Sequence, residues 1–208
     1  EERRVSTDNS VQGTMVENLY AGAFVAHPYH NPVVGWMRDL DNIQAADAQE
    51  YFRIYYAPNN ATVFLVGDFD ARGIRGTMEK LFGSIPRQPA PPPVVNAEPP
   101  QLGERRITLY KPAELPAVAV AYKGAAASSP DFAPLNLLAS ILSTGQSSRL
   151  YKRLVYDLEL ATEAGAGLDE FIDPGLFTLF IQRQPGKSTA DAEEEAYRIL
   201  KDIVENGV

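Results

Sequence analysis

The 208-residue sequence contains no cysteine, so neither a disulfide framework nor a thiolate metal site is available to it, and nothing in it reports on redox compartment. Positive charge is in short supply: 19 Lys and Arg against 27 Asp and Glu leave a formal net charge of −8. A protein that grips a phosphate backbone needs clustered Lys and Arg, so nucleic acid is set aside as a partner. Histidine is scarce as well, with His27 and His30 alone. No apolar run approaches the roughly eighteen residues that a membrane-spanning helix requires. The opening Glu1-Glu2-Arg3-Arg4 is unlike a signal peptide. Such a start, without methionine, reads as a piece of a longer protein with any export signal outside it, and the compartment stays open between periplasm and cytoplasm.

Proline, by contrast, is concentrated in one place. Pro86, Pro89, Pro91, Pro92, Pro93, Pro99 and Pro100 crowd a stretch with almost no hydrophobic periodicity. Such a stretch favours extended polyproline conformation and acts as a semi-rigid spacer. It divides the chain into residues 1–85, a linker over 86–104, and residues 105–208. Before the linker, Val11–Phe24 has helical spacing, although Gly13 and Gly22 weaken it. Asp41 and Gln44 have capping-box spacing ahead of a helix whose Ala48, Tyr51, Phe52 and Tyr55 share one face. Pro58-Asn59-Asn60 is turn chemistry, and Ala61–Gly67 is too short and too β-branched for a helix, which predicts a buried strand. Asp70 caps a further helix with Ile74, Met78, Leu81 and Phe82 as its apolar stripe.

After the linker, Arg105–Tyr110 and Ala117–Tyr122 read as strands, and Phe132–Leu142 and Ser147–Leu158 as helices. Thr162–Phe171 and Leu176–Arg183 read as strands about the turn Asp173-Pro174-Gly175, and Ala190–Glu205 as a closing acidic helix. Strands at hairpin spacing mixed with helices predict an α+β fold with mainly antiparallel sheets. Strand Ala61–Gly67 has no obvious neighbour among residues 1–85, so its edges would pair with the second domain, with another copy of the chain, or stay exposed. That predicts self-association or unusual mobility of residues 1–85.

Taken as bare residues, the chemistry-bearing positions are modest. Glu1 and Glu2 read as solvated acids. His27 and His30 are interrupted by Pro28 and followed by Pro32, which argues against a helical metal pair and for loop packing or backbone capping. Asp68 and Asp70 are too few oxygen donors for a cation, and capping suits Asp70 better. Gly145, Gln146, Ser147 and Arg149 sit at the start of a helix, where a lone glycine without lysine is a weak anion signal. Arg149, Lys152 and Arg153 fit a solvated basic face equally well.

Several of these elements occur together in one order: His27-Pro28-Tyr29, then Gly35-Trp36, then a helix running into Tyr55-Tyr56-Ala57-Pro58-Asn59-Asn60, then a strand ending in Val66-Gly67-Asp68. In this order they resemble the inverted zinc metallopeptidases, the family of pitrilysin, insulin-degrading enzyme and mitochondrial processing peptidase. The resemblance extends through Ser147-Ser148-Arg149-Leu150 and covers nearly the whole chain. It implies a truncated processing-peptidase-like fold, a two-layer arrangement of antiparallel sheet with helices on one face. The parts in hand would be the end of a catalytic-type domain (1–85) and most of a second, non-catalytic domain (105–208), with short loops like those of bacterial members.

The resemblance also implies a zinc metalloendopeptidase parent in which a metal-activated water attacks peptides. Members of the family take two His ligands and the base from His-x-x-Glu-His, which this chain lacks, so the chain alone is expected to be inactive and to bind no zinc. Their third ligand is a glutamate whose place is taken here by Glu2, with Glu1 as the fallback. The family's glycine-rich turn, at the place taken here by Gly145, Gln146, Ser147 and Arg149, faces the cavity between the halves, which implies a substrate-contact role for these residues. Non-catalytic partner halves carry an Arg and a Tyr seven residues on, where this chain has Val155 and Thr162. That points to a partner half or subunit bearing the Arg/Tyr pair, with peptide as substrate. The alternative reading is a non-catalytic assembly subunit of the same fold.

Overall fold

The computed structural model describes residues 1–208. Along the chain the helices are α1 (Val11–Ala23), α2 (Met37–Asn42), α3 (Ala45–Tyr55), α4 (Ala71–Phe82), α5 (Phe132–Ser143) and α6 (Thr189–Asn206). The strands are β1 (Ala117–Lys123), β2 (Ala161–Leu168) and β3 (Leu176–Arg183). Two compact units result, one of residues 1–34 with 98–208 and one of residues 35–97.

The first unit is built on one antiparallel sheet in the order β1-β3-β2. Side chains alternate across a sheet, so each row of partners shares a face. Val118, Ile181 and Ala164 form one row on the core face, and Val120, Leu179 and Ala166 the next. Over that face lie Ala139 and Leu142 of α5, Leu150 and Leu154, and Ala192, Ala196 and Ile199 of α6, all buried in one cluster with the strands. The α+β reading with a helical layer over an antiparallel sheet therefore describes this unit. On the sheet's other face, α1 begins beside β1. Val11 and Met15 share a cleft of about 260 Å³ with Ala117, Phe180 and Gln182.

Local chemistry sets the element ends. Ser10 Oγ accepts the Gly13 N–H at 2.9 Å and Ser188 Oγ accepts the Asp191 N–H at 3.3 Å, starting α1 and α6 as N-caps do. Strand β2 ends three residues before the expected Phe171. There Asp169 turns its carboxylate onto the Leu176 N–H (2.7 Å), while its own N–H donates to the Leu176 carbonyl (3.0 Å). The helix expected over Ser147–Leu158 is present but widens over Tyr151–Asp157, where the Leu158 N–H reaches back five residues to the Arg153 carbonyl at 3.1 Å. Arg105–Tyr110, expected as a strand, runs without a ladder, because no strand lies alongside it to take its backbone bonds.

The second unit holds α2, α3 and α4. The capping box sits three residues later than expected, at Gln44 and Asp47: the Gln44 N–H donates to the Asp47 carboxylate at 2.9 Å. Asp70 caps α4 as expected, accepting from the Arg72 and Gly73 N–H groups at 3.1 and 2.9 Å. Asn59 Oδ1 accepts the Gln88 N–H at 3.0 Å, and Arg53 donates to Gln88 Oε1 at 2.8 Å. Ala61–Gly67 was expected as a buried strand; it belongs to no sheet and is exposed, with Phe64 at 85% and Val66 at 99%. A strand needs a hydrogen-bonded neighbour, and this segment has none here.

Candidate functional site

The residues singled out from sequence fall in three separate places. Glu1 and Glu2 are exposed, on a helical turn held to α1 by their neighbour. That neighbour is Arg3, buried to 7% exposure, which donates to both Glu17 oxygens at 2.6 and 3.1 Å and lies 3.6 Å from Asp8. The bond to Glu17 raises the pKa of the guanidinium against the opposing effect of burial. The Glu2 carbonyl accepts the Ser6 hydroxyl at 2.8 Å. Its main chain is therefore engaged, and its carboxylate faces solvent.

The second place is the turn after α5. Gly145 has φ of 79°, a left-handed conformation that glycine adopts without a side-chain penalty, and it ends the helix there. Gln146 and Ser147 are exposed beside it, and the Gly145 carbonyl accepts the Ser148 N–H at 3.2 Å. Ser148 is buried with its hydroxyl unpartnered. Arg149 departs from this group. It reaches α6, donating to Asp202 at 3.3 Å and to the Gly207 carbonyl at 3.5 Å. Arg153 donates to the buried Glu195 at 2.6 Å, and Arg198 donates to it at 2.9 Å. The bond to Arg153 holds the Glu195 carboxyl below its ordinary range, with burial opposing and Arg198 assisting.

The third place is the His27-Pro28-Tyr29 loop, which packs against the β2–β3 turn. Phe24, His27 and Tyr29 form an aromatic group extended by Phe171, whose ring lies 5.0 Å from that of Tyr29. His27 Nδ1 accepts the Tyr29 N–H at 3.2 Å, which places its ring proton on Nε2, facing Asp173 at 3.3 Å. The Asp173 N–H donates to Tyr29 Oη at 3.2 Å, and Tyr20 Oη donates to Asp169 at 2.5 Å. Burial first, then the bond to Asp169, pushes the Tyr20 phenol well above its ordinary pKa. His27 thus caps and packs, as its residue-level reading expects. Sequence reasoning missed Asp169 and Asp173. Asp169 meets Tyr20 of α1 and Asp173 meets His27 and Tyr29 of the loop, all more than 140 residues away, and the only sequence signal was that Asp173 opens an Asp-Pro-Gly turn.

Zinc needs three protein ligands gathered on one point. No group of three His, Asp or Glu side chains here is placed to hold a metal ion, and both nitrogens of His27 already have partners. The residues of this chain do not by themselves fit a zinc centre. Val155 packs against the core, and Thr162 donates its hydroxyl to the Gln182 carbonyl at 3.4 Å; neither brings a guanidinium or phenol.

A fold with a closed helical layer, an aromatic His-Pro-Tyr loop and no metal constellation has a counterpart among known families. A family model described as the peptidase M16 inactive domain matches residues 42–208. The chain belongs to this family. Over 206 residues it is 31% identical to zinc protease PqqE of Helicobacter pylori, covering 98% of this chain and 46% of that protein. Against the beta subunit of mitochondrial-processing peptidase from Lentinula edodes it is 27% identical over 194 residues, covering 84% of this chain and 40% of that protein. The solved structure of a protease from Helicobacter pylori matches with a TM-score of 0.93 at 30% identity, over all of this chain and 50% of that one. The peptidase M16 inactive domain from Pseudomonas fluorescens matches in fold, with a TM-score of 0.80 at 19% identity, over 94% of this chain and 47% of that one. The chain spans about half the length of the relatives it matches.

Proposed function

We propose that this M16 inactive domain chain is a fragment, inactive by itself, of a zinc metalloendopeptidase subunit that hydrolyses peptides. The observation that carries the reading is the family match over residues 42–208 in a chain without His-x-x-Glu-His. In the parent protein, residues 1–85 complete a catalytic-type domain, 86–104 connect it, and 105–208 form the second domain. Glu2 supplies one zinc ligand to a site whose other ligands lie outside this chain, and its solvent-facing carboxylate on an anchored turn leaves it available for that. Gly145, Gln146 and Ser147 offer an exposed turn for substrate contact. Arg149 has a weaker claim, since it is engaged with α6. Val155 and Thr162 supply neither member of an Arg/Tyr pair, which favours a partner half that carries it.

The test is zinc-dependent peptide cleavage by the full-length gene product, measured beside residues 1–208 and with the partner subunit present and absent. Cleavage by the full-length protein alone, lost on adding chelator and reduced at least about a hundredfold by Glu2→Gln, is the expected result. No cleavage under any pairing would instead make the chain part of a non-catalytic assembly subunit. Full activity of Glu2→Gln would remove Glu2 from the metal site.

A further inference from the structure

The chain leaving α1 exposes three consecutive backbone donors to one point. The N–H groups of Val25, Ala26 and His27 all converge on the Glu98 carboxylate: Val25 on both oxygens at 2.9 and 3.0 Å, Ala26 and His27 on Oε2 at 2.9 and 3.0 Å. Successive main-chain N–H groups arranged in this way form an anion-binding concavity. Lys123 closes it from β1, with Nζ 3.8 Å from Glu98 Oε1 and 3.5 Å from the centre of the Phe24 ring. The Glu98 side chain is 14% exposed. The carbonyls just upstream are met by cations, Ala23 by Lys123 at 2.7 Å and Gly22 by Arg105 at 2.7 Å. The end of α1 is therefore gripped twice, its carbonyls by Lys123 and Arg105 and its following amides by Glu98.

We propose that Val25–His27, together with Lys123, is a carboxylate-binding seat, and that Glu98 fills it from within the chain as a latch on the His27-Pro28-Tyr29 loop. The seat has the features of carboxylate recognition: several donors to one oxygen pair, a flanking ammonium, and an aromatic wall formed by the buried Phe24. Burial would raise the pKa of Glu98, but the three backbone bonds and Lys123 outweigh it and hold the carboxyl down at about 2, so the latch is charged throughout the neutral range. Glu98 is followed by Pro99 and Pro100, whose fixed φ restricts the approach of its backbone. A carboxylate supplied from outside, such as a peptide C-terminus or acidic side chain, gains the same donors only when Glu98 leaves.

The test is amide hydrogen exchange at Val25, Ala26 and His27 in residues 1–208, comparing the unaltered chain with Glu98→Ala. The variant is expected to exchange at least about tenfold faster at these three amides, as loss of a charged acceptor implies. Sodium formate is then expected to restore protection at the three amides, while sodium chloride at equal ionic strength does not. The unaltered chain responds to neither salt. Unchanged exchange in Glu98→Ala, or equal effects of formate and chloride, would overturn the seat. Should Glu98→Ala fail to fold, Glu98→Gln serves in its place. Wild-type protection in that variant would refute a seat selective for carboxylate, and accelerated exchange at these amides, reversed by formate, would uphold it.

Discussion

The two compact units of this chain obey the same sequence rules and reach opposite outcomes. In the unit of residues 1–34 and 98–208, the strands and α5 and α6 turn their apolar positions inward, and Leu142, Leu150, Leu154, Leu179 and Ile181 are all but inaccessible. In the unit of residues 35–97, α3 and α4 are just as amphipathic, yet Tyr51, Phe52, Leu81 and Phe82 are exposed and Ala57 is the one buried residue. Tyr51 stacks on Tyr55 and Phe52 on Tyr56 along the helix surface, at centroid separations of 4.3 and 4.9 Å. An apolar stripe is an address for a surface, and periodicity does not say whether that surface belongs to the same chain.

This contrast can be broken most forcefully in the core. Leu179→Ala is expected to cost about 3–4 kcal/mol, because Leu179 is all but inaccessible within the core cluster of the sheet and its covering helices. Phe52→Ala, which removes a larger but exposed side chain, is expected to change stability by less than about 0.5 kcal/mol. Urea denaturation of both variants checks this, and a similar loss for each would mean that residues 35–97 do have a core.

A smaller effect is expected at Glu195, buried between Arg153 and Arg198. Because its folded pKa is depressed, the stabilisation is complete above the unfolded carboxylate value, about 4.3, and disappears as pH falls through the folded value. Glu195→Gln is expected to cost about 1–2 kcal/mol at pH 7 and nothing below the folded pKa, since both guanidinium groups can regain water. Thermal unfolding from pH 7 down to pH 2 reads the difference. A constant gap between the curves would place the carboxylate's contribution elsewhere.

The smallest effect on folding is expected in the exposed segment. Phe64→Asp should leave stability within about 0.5 kcal/mol while lowering any concentration-dependent association, since Ala61–Gly67 exposes apolar side chains and has no ladder partner in the chain. Sedimentation velocity over a range of concentrations decides it. A chain that stays monomeric throughout would show that this segment does not self-associate under those conditions.

The existence of most elements was legible because their signals are local. The spacing around Val11, the cap at Asp70, the apolar run after Phe132 and the Asp173-Pro174-Gly175 turn each operate over a few residues, and α1, α4, α5 and the β2–β3 hairpin formed there. Ala61–Gly67 and Arg105–Tyr110 carry equally good strand composition and made no sheet. The capping box shifted from Asp41 and Gln44 to Gln44 and Asp47, since both pairs share the same spacing and only backbone geometry separates them.

At the candidate site, the missing His-x-x-Glu-His was legible at once, and with it the expectation that this chain alone lacks the family's zinc-binding motif. Sequence order also carried the family. What the tertiary structure decided was which groups meet: Arg149 with Asp202, His27 with Asp173, Glu98 with the amides of Val25 to His27. The physical reason is range. Side-chain periodicity and caps are properties of neighbours in sequence, whereas a ladder partner, a buried face or an anion seat needs groups brought together from distant parts of the chain.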